Sequence, residues 1–295
     1  MDTRWKADSG LNARMVLSFV ILGILYIIFL GILHYLGVGY IPLAIIASAM
    51  ILAQWYFSDK IVLWSSGATI VSKEQYPRLH EIVERLSADN GIPKPKVAIV
   101  NSRVPNAFAT GKSPKSSLVA VTSGSLDLLD DDELEAVIGH ELSHVRSRDV
   151  LVLTLASVFS MVAWYLVQFG FFGGLQGRGR NSSGGTAIVI LVALITWVVS
   201  FLIIRAISRY REYSADRSGA IMTGKPDKLA SALLKISGKM GNIPTKELEN
   251  VQKLNAFFII PALSGSSIAS LFSTHPPLEK RVQKLREMES GGNKK

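Results

Sequence analysis

Residues 131–150 read DDELEAVIGHELSHVRSRDV, and the reading of this stretch decides the fold. It contains no proline, and Leu134, Val137, Ile138 and Val145 recur among polar positions at helical spacing, so one helix is expected over the whole of it. Asp130, Asp131, Asp132 and Glu133 suit the positive N-terminal end of such a helix. Four residues of helix advance about 400°, so His140 and His144 fall on one face, about one turn apart. Two imidazoles so placed can hold one zinc ion. Glu141, beside the first of them, can serve as base toward a water activated by that ion.

A second segment supplies a third ligand. In Arg211-Glu212-Tyr213-Ser214-Ala215-Asp216, two carboxylates again stand at i and i+4. Zinc hydrolases commonly combine two histidines with one glutamate and leave the fourth position to water. A chance pair of histidines has no reason to come with such a partner. A carboxylate at i+4 from a ligand, here Asp216, is also well placed to orient an imidazole.

The rest of the composition points to a membrane. Of 295 residues 48% are hydrophobic, and the mean hydropathy is +0.30, which is apolar for a soluble enzyme. The excess sits in four uncharged blocks, residues 15–33, 40–57, 150–172 and 187–204, each close to the roughly 20 residues that cross a hydrocarbon core. Four transmembrane helices are expected, the first an uncleaved anchor because no small-residue cleavage site follows it. None of the four carries Asp, Glu, Lys, Arg or His, which argues against an ion or proton pathway. The absence of cysteine excludes disulfides, iron–sulfur clusters, thiolate-bound zinc and thiol proteases.

The net charge of +9 reads as an orientation signal. Arg4, Lys6, Arg14, Lys60, Arg146, Arg148, Arg205, Arg209 and Arg211 all fall on one side of a chain that crosses four times. By the positive-inside rule that side is the cytoplasm, with Arg178 and Arg180 as the exceptions outside. No groove-reading motif or aromatic–basic patch suggests a nucleic-acid partner.

Along the chain this gives residues 1–58 as an N-terminal segment with two spans, and 59–149 as a cytoplasmic catalytic part with the zinc helix. Spans three and four occupy 150–204 with an outer loop at 173–186, and 205–295 form a second catalytic part with the third ligand. Within these, Ser72 and Gln75 suggest a capping box for a helix running to about Ala88. Strands are expected at 97–100 and 117–122, a helical turn at 126–129, and helices at 226–240 and 276–288. The glycine-rich loop with its Asn181 sequon and the tail at 291–295 are expected to be flexible. His144 precedes the third span, and Glu212 follows the fourth, by similar distances. As rods, the two helices would bring both ligands to similar heights, roughly 9–12 Å beyond the hydrocarbon edge.

These features together resemble the HtpX-type membrane zinc metalloproteases, relatives of the eukaryotic prenyl-protein (CaaX) endopeptidase. Asn106-Ala107-Phe108-Ala109 resembles the substrate-backbone edge of zinc proteases, and Ser273-Thr274-His275-Pro276-Pro277 with Arg281 resembles a C-terminal His-Pro motif of the family. The resemblance implies an α-helical integral membrane protein with an α+β zincin-like (gluzincin) cytoplasmic catalytic domain. It implies one zinc ion per chain on His140, His144 and Glu212, with Glu141 as general base and then proton donor, and Asp216 hydrogen-bonded to a ligand imidazole. His275 and Arg281 would lie near the site, possible partners of the oxyanion, and Asn106 and Ala107 would bind substrate backbone. The implied substrates are misfolded or damaged membrane proteins at the plasma membrane. The rival readings are a prenyl-protein-type endopeptidase, for which four spans are few to enclose a chamber, and a non-enzymatic zinc-binding membrane transporter.

Overall fold

The computed structural model describes residues 9–36, 40–174, 183–240, 243 and 275–292. Asn181 and Ser182 of the sequon, most of the expected outer loop, Ser273, Thr274 and the last three residues lie outside them. The chain divides into two compact units. One comprises residues 56–151 and 209–295, the other residues 8–55 and 152–208.

The first unit holds a four-stranded mixed sheet of β1 (Thr69–Ile70), β2 (Lys96–Val100), β3 (Ala107–Thr110) and β4 (Leu118–Thr122), in the order β1-β2-β4-β3. Strand β2 runs parallel to β4 with Val97 opposite Val119, while β3 is antiparallel to β4 with Ala107 opposite Val121. Side chains alternate between the faces, as the period of two requires. Val97, Ile99, Ala107, Val119 and Val121 enter the main core, whereas Ala98, Phe108, Leu118 and Ala120 pack with Val62 on the opposite face.

Helices cover the main face. In α3 (Pro77–Asp89) the buried Leu79, Ile82, Val83 and Leu86 form an i, i+3, i+4, i+7 stripe. The expected Ser72–Gln75 bond forms, from the Ser72 N–H to the Gln75 side chain at 2.9 Å, but in the turn before the helix. The helix starts at Pro77, whose missing N–H and fixed φ suit a first position. Helix α4 (Ser123–Leu128) is capped by the Thr122 side chain. Helix α5 (Asp131–Ser147) opens on a full capping box, Asp130 accepting from the Glu133 N–H and Glu133 from the Asp130 N–H. Its buried stripe is Leu134, Val137, Ile138, Leu142 and Val145.

The helix expected over 131–150 is broken. Arg148 caps α5 in the left-handed region (φ 53°, ψ 44°), and α6 (Asp149–Gly174) begins at the next residue. A left-handed non-glycine residue costs on the order of 1–3 kcal/mol and persists only where its surroundings enforce it. Helices α8 (Pro226–Met240) and α9 (Leu278–Gly292) complete the core through Leu229, Leu233, Ile236, Val282 and Leu285.

The second unit is helical. It draws on α1 (Ser9–Tyr35), α2 (Tyr40–Ser66), α6 and the first part of α7 (Ser183–Thr223), the last of which continues into the first unit from Arg209. Phe29 and Leu33 pack with Val162, Ala163 and Leu166, and Leu22 and Tyr26 with Ala156 and Ile207. Residues 10–35 and 187–223 form helices long and apolar enough to cross a membrane. A third span is counted if the two parts of α6, bent by 43°, are taken together. Among the described residues α2 does not meet the same test, so two to three spans stand where four are expected.

Candidate metal centre

Three elements of the first unit build the site. Helix α5 carries His140, Glu141 and His144, α7 carries Glu212 and Asp216, and the entry to α9 carries His275 and Arg281. Helix α7 comes this close to α5 because two glycines face each other. A Cβ on Gly219 would stand 2.6 Å from the His140 backbone nitrogen, and one on Gly139 would stand 2.7 Å from Thr223 Cγ2.

The ligating atoms converge. His140 Nε2 and His144 Nε2 are 3.1 Å apart, with the rings nearly perpendicular. Glu212 Oε1 lies 3.4 Å from His144 Nε2, and Oε2 lies 3.7 Å from His140 Nε2. Each imidazole is held from behind by a carboxylate. His140 Nδ1 stands 3.0 Å from Asp216 Oδ1, and His144 Nδ1 stands 2.7 Å from Asp149 Oδ2. With Nδ1 protonated toward a carboxylate, each ring turns the lone pair of Nε2 into the shared space. Two lone pairs aimed at one another beside a carboxylate repel unless a cation lies between them, so this donor set fits a metal ion.

The electrostatics keep the ligands in the forms a metal needs. Burial pushes the His140 imidazole below its ordinary pKa, against the pull of Asp216, so the ring is neutral. Burial alone would raise the Glu212 carboxyl, but His275, His144 and Arg281 around it hold it well below the ordinary range. His275 Nδ1 is 3.0 Å from Glu212 Oε2, and Arg281 Nη1 is 3.6 Å from the same oxygen. Asp216 also stays ionised against burial, because Arg281 donates to both of its oxygens, at 2.8 and 2.6 Å. Arg281 is 1% exposed, and its guanidinium is directed at Asp216.

Glu141 differs from these partners. Burial pushes its carboxyl up to about 8, with the Glu212 charge acting in the same sense and His144, the Ala109 backbone N–H and Arg281 in the opposite one. That amide belongs to β3, an edge strand of the sheet, which packs along α5. Ala107 opens the same strand, and Asn106 comes just before it. The Asn106 backbone is pinned by Thr122 and Ser125, its carbonyl accepting from the Thr122 N–H and both hydroxyls. The strand therefore meets the site through Ala109. A small, partly open pocket lies beside His144, lined by Thr110, Ser113, Val145 and Arg148 among others.

The structure thus brings together His140, Glu141, His144, Glu212, Asp216, His275 and Arg281. Sequence reasoning missed Asp149 and Arg211, which meet behind His144, and the Gly139–Gly219 crossing. A glycine next to a ligand histidine was the one available signal. Arginine gives none for a left-handed cap.

Residues 73–289 match the model of the peptidase family M48. The chain belongs to the M48 peptidases. The matched region runs from the turn before α3 into α9 and so contains the whole cluster described above. Among curated relatives, "Protease HtpX homolog 2" of Methanosarcina acetivorans is 51% identical over 290 residues, covering 98% of this chain and 99% of that one. "Protease HtpX homolog" of Moorella thermoacetica is 52% identical over 292 residues, covering 98% of both. Among solved structures, S. mikatae Ste24p matches with a TM-score of 0.57 at 19% identity, over 92% of this chain and 64% of that one, and shows the fold alone. The expected HtpX kinship is met, and the chain is a membrane metalloprotease.

Proposed function

We propose that this chain is a zinc-dependent endopeptidase that crosses the plasma membrane four times and cuts misfolded or damaged membrane proteins at the cytoplasmic face. One observation carries the reading: three ligating atoms on α5 and α7 converge with separations of 3.1, 3.4 and 3.7 Å. Neighbouring ligands of a tetrahedral zinc ion, at about 2.0–2.1 Å from the metal, stand about 3.3–3.4 Å apart. Donors of two nitrogens and one oxygen also suit zinc.

His140, His144 and Glu212 would hold the ion, and Asp216 would hold His140. Bound there, zinc would supply Lewis acidity at neutral pH, polarising a peptide carbonyl and acidifying water. Glu141 takes a proton from the attacking water and returns it to the leaving amine. Its raised pKa suits both halves of that exchange. Strand β3, opening at Ala107 just after Asn106, is an edge strand of the sheet among the described residues and offers backbone groups to an extended substrate, as peptide strands commonly add to sheet edges. His275 and Arg281 fix the charge and position of Glu212 and Asp216.

The membrane reading takes residues 1–58 and 150–204 as the spanning parts, and 59–149 and 205–295 as the catalytic parts. Support comes from the apolar exterior of α1 and α7, where Ile24, Ile27, Leu191 and Ile195 are all exposed. The basic residues flanking the spans support a cytoplasmic site. Arg211 leaves that count, because it is buried against Asp149.

The test is cleavage of an unfolded membrane protein by the full chain in detergent with zinc. Wild type cleaves, and Glu141→Gln retains its zinc but loses about 10²–10⁴ of the rate. Equal cleavage by both refutes the assignment.

A further inference from the structure

We propose that Asp149 and Arg211 are positioning residues for the second histidine, acting as a relay that fixes His144 as a metal ligand. The inference rests on His144 being a ligand, and it adds two residues that no ligand motif contains. Asp149 Oδ2 stands 2.7 Å from His144 Nδ1, and its other oxygen is paired with Arg211 Nη2. The same Arg211 nitrogen donates to the Ser147 carbonyl at 3.1 Å, at the C-terminal end of α5. Asp149 and Arg211 are themselves buried.

The backbone explains why this pairing needs a built device. On an uninterrupted helix a residue at i+5 lies about 140° round the axis from residue i, so an aspartate at 149 could not reach the ring at 144. The left-handed turn at Arg148 ends α5 and restarts the chain as α6, bringing Asp149 back to His144. Arg211 then clips both sides of the break, taking the Ser147 carbonyl from one helix and the Asp149 carboxylate from the next.

The arrangement repeats the one behind the first histidine. There Asp216 holds His140, and Arg281 holds Asp216. Two imidazoles, each backed by a carboxylate and each carboxylate by an arginine, keep both Nδ1 protons away from the shared space. Arg211 sits one residue before Glu212 on α7, so the relay also ties that ligand's helix to the end of α5.

The experiment uses the full chain in detergent, stripped of metal and titrated with zinc against a chelating dye. Cobalt is substituted in parallel, to read ligand geometry from its visible spectrum. Asp149→Ala should weaken zinc binding about 10–100-fold and alter the cobalt spectrum. Asp149→Asn, which keeps an oxygen for the imidazole N–H but loses the charge, should fall between it and wild type. Arg211→Met should weaken binding by a smaller factor. If Asp149→Ala does not yield folded protein, Asp149→Asn decides, with a threefold loss or more expected. Unchanged affinity and an unchanged cobalt spectrum in the folded aspartate variant overturn the relay. His144→Ala in the same titration separates the two readings. If it binds zinc like wild type, the ligand assignment itself fails; if it loses zinc while the Asp149 variants do not, only the relay fails.

Discussion

The two units treat polar groups in opposite ways. Among the described residues of 56–151 and 209–295, several carboxylates and guanidiniums are buried and most are paired: Asp216 with Arg281, Asp149 with Arg211, Glu133 with Lys235 and Ser231. In residues 8–55 and 152–208 the described helices hold few polar groups, and these bond to backbone carbonyls of their own or a neighbouring helix. Tyr26 gives its hydroxyl to the Ala156 carbonyl at 2.9 Å, and Ser157 gives its own to Leu153 one turn back. The large hydrophobic side chains that face outward there are aliphatic, Tyr35 excepted. A metalloprotease site needs ionised groups away from water, and each must be paired to survive burial. A membrane span needs backbone satisfied internally and an apolar exterior, so single side chains on its surface matter little.

Four substitutions probe that contrast, from the most damaging to the least. Arg281→Met leaves the Asp216 carboxylate buried without its cation, and unfolding in detergent should show a loss of about 3–5 kcal/mol. Stability equal to wild type would show that the pair is not holding the site. Gly219→Ala forces a methyl into the His140 backbone, which should cost about 1–3 kcal/mol and weaken metal binding in step. A neutral result in both readouts means that the two helices can slide apart without loss.

The third is Glu133→Gln. Burial works against the Glu133 charge, but Lys235, Ser231 and the Asp130 N–H hold its carboxyl below the ordinary value. A group whose folded pKa is lowered stabilises the fold above its unfolded pKa. That contribution fades as pH falls through about 4.5 and below it. The variant should therefore lose about 1 kcal/mol at neutral pH and show a flatter acid limb in a stability–pH titration. A parallel pair of curves would remove the charge from the explanation. Smallest of all, Ile27→Ala on the 72%-exposed face of α1 should shift stability by no more than about 0.5 kcal/mol. A large loss there would mean that this face packs against protein.

Much of the catalytic unit was legible because local rules and the global fold agree there. The acidic first turn and the 3.6-residue stripe announce α5, and two histidines at i and i+4 share a face by geometry alone; the Asp130–Glu133 capping box in the structure agrees with them. Strands β2 and β4 are short runs of β-branched residues, and their bounds differ from expectation by one residue. Three features were hidden. The break at Arg148 accompanies the contact of Asp149 with His144, a tertiary feature that leaves no propensity signal. The two-residue β1 is too short to show a period. The start of α3 follows Pro77 rather than the Ser72–Gln75 bond, which closes a turn on its own. Charge counting was misled at Arg211, because a basic residue near a span end reads the same whether it faces lipid headgroups or a buried aspartate.

The central claim is that Glu212, distant in sequence from the two histidines, completes a metal site with them. Elemental analysis of the full chain, purified in detergent after expression in zinc-supplemented medium, tests it directly against Glu212→Ala. About one zinc per wild-type chain, with most of it lost in the variant, is the predicted result. Equal zinc in both proteins would contradict the account.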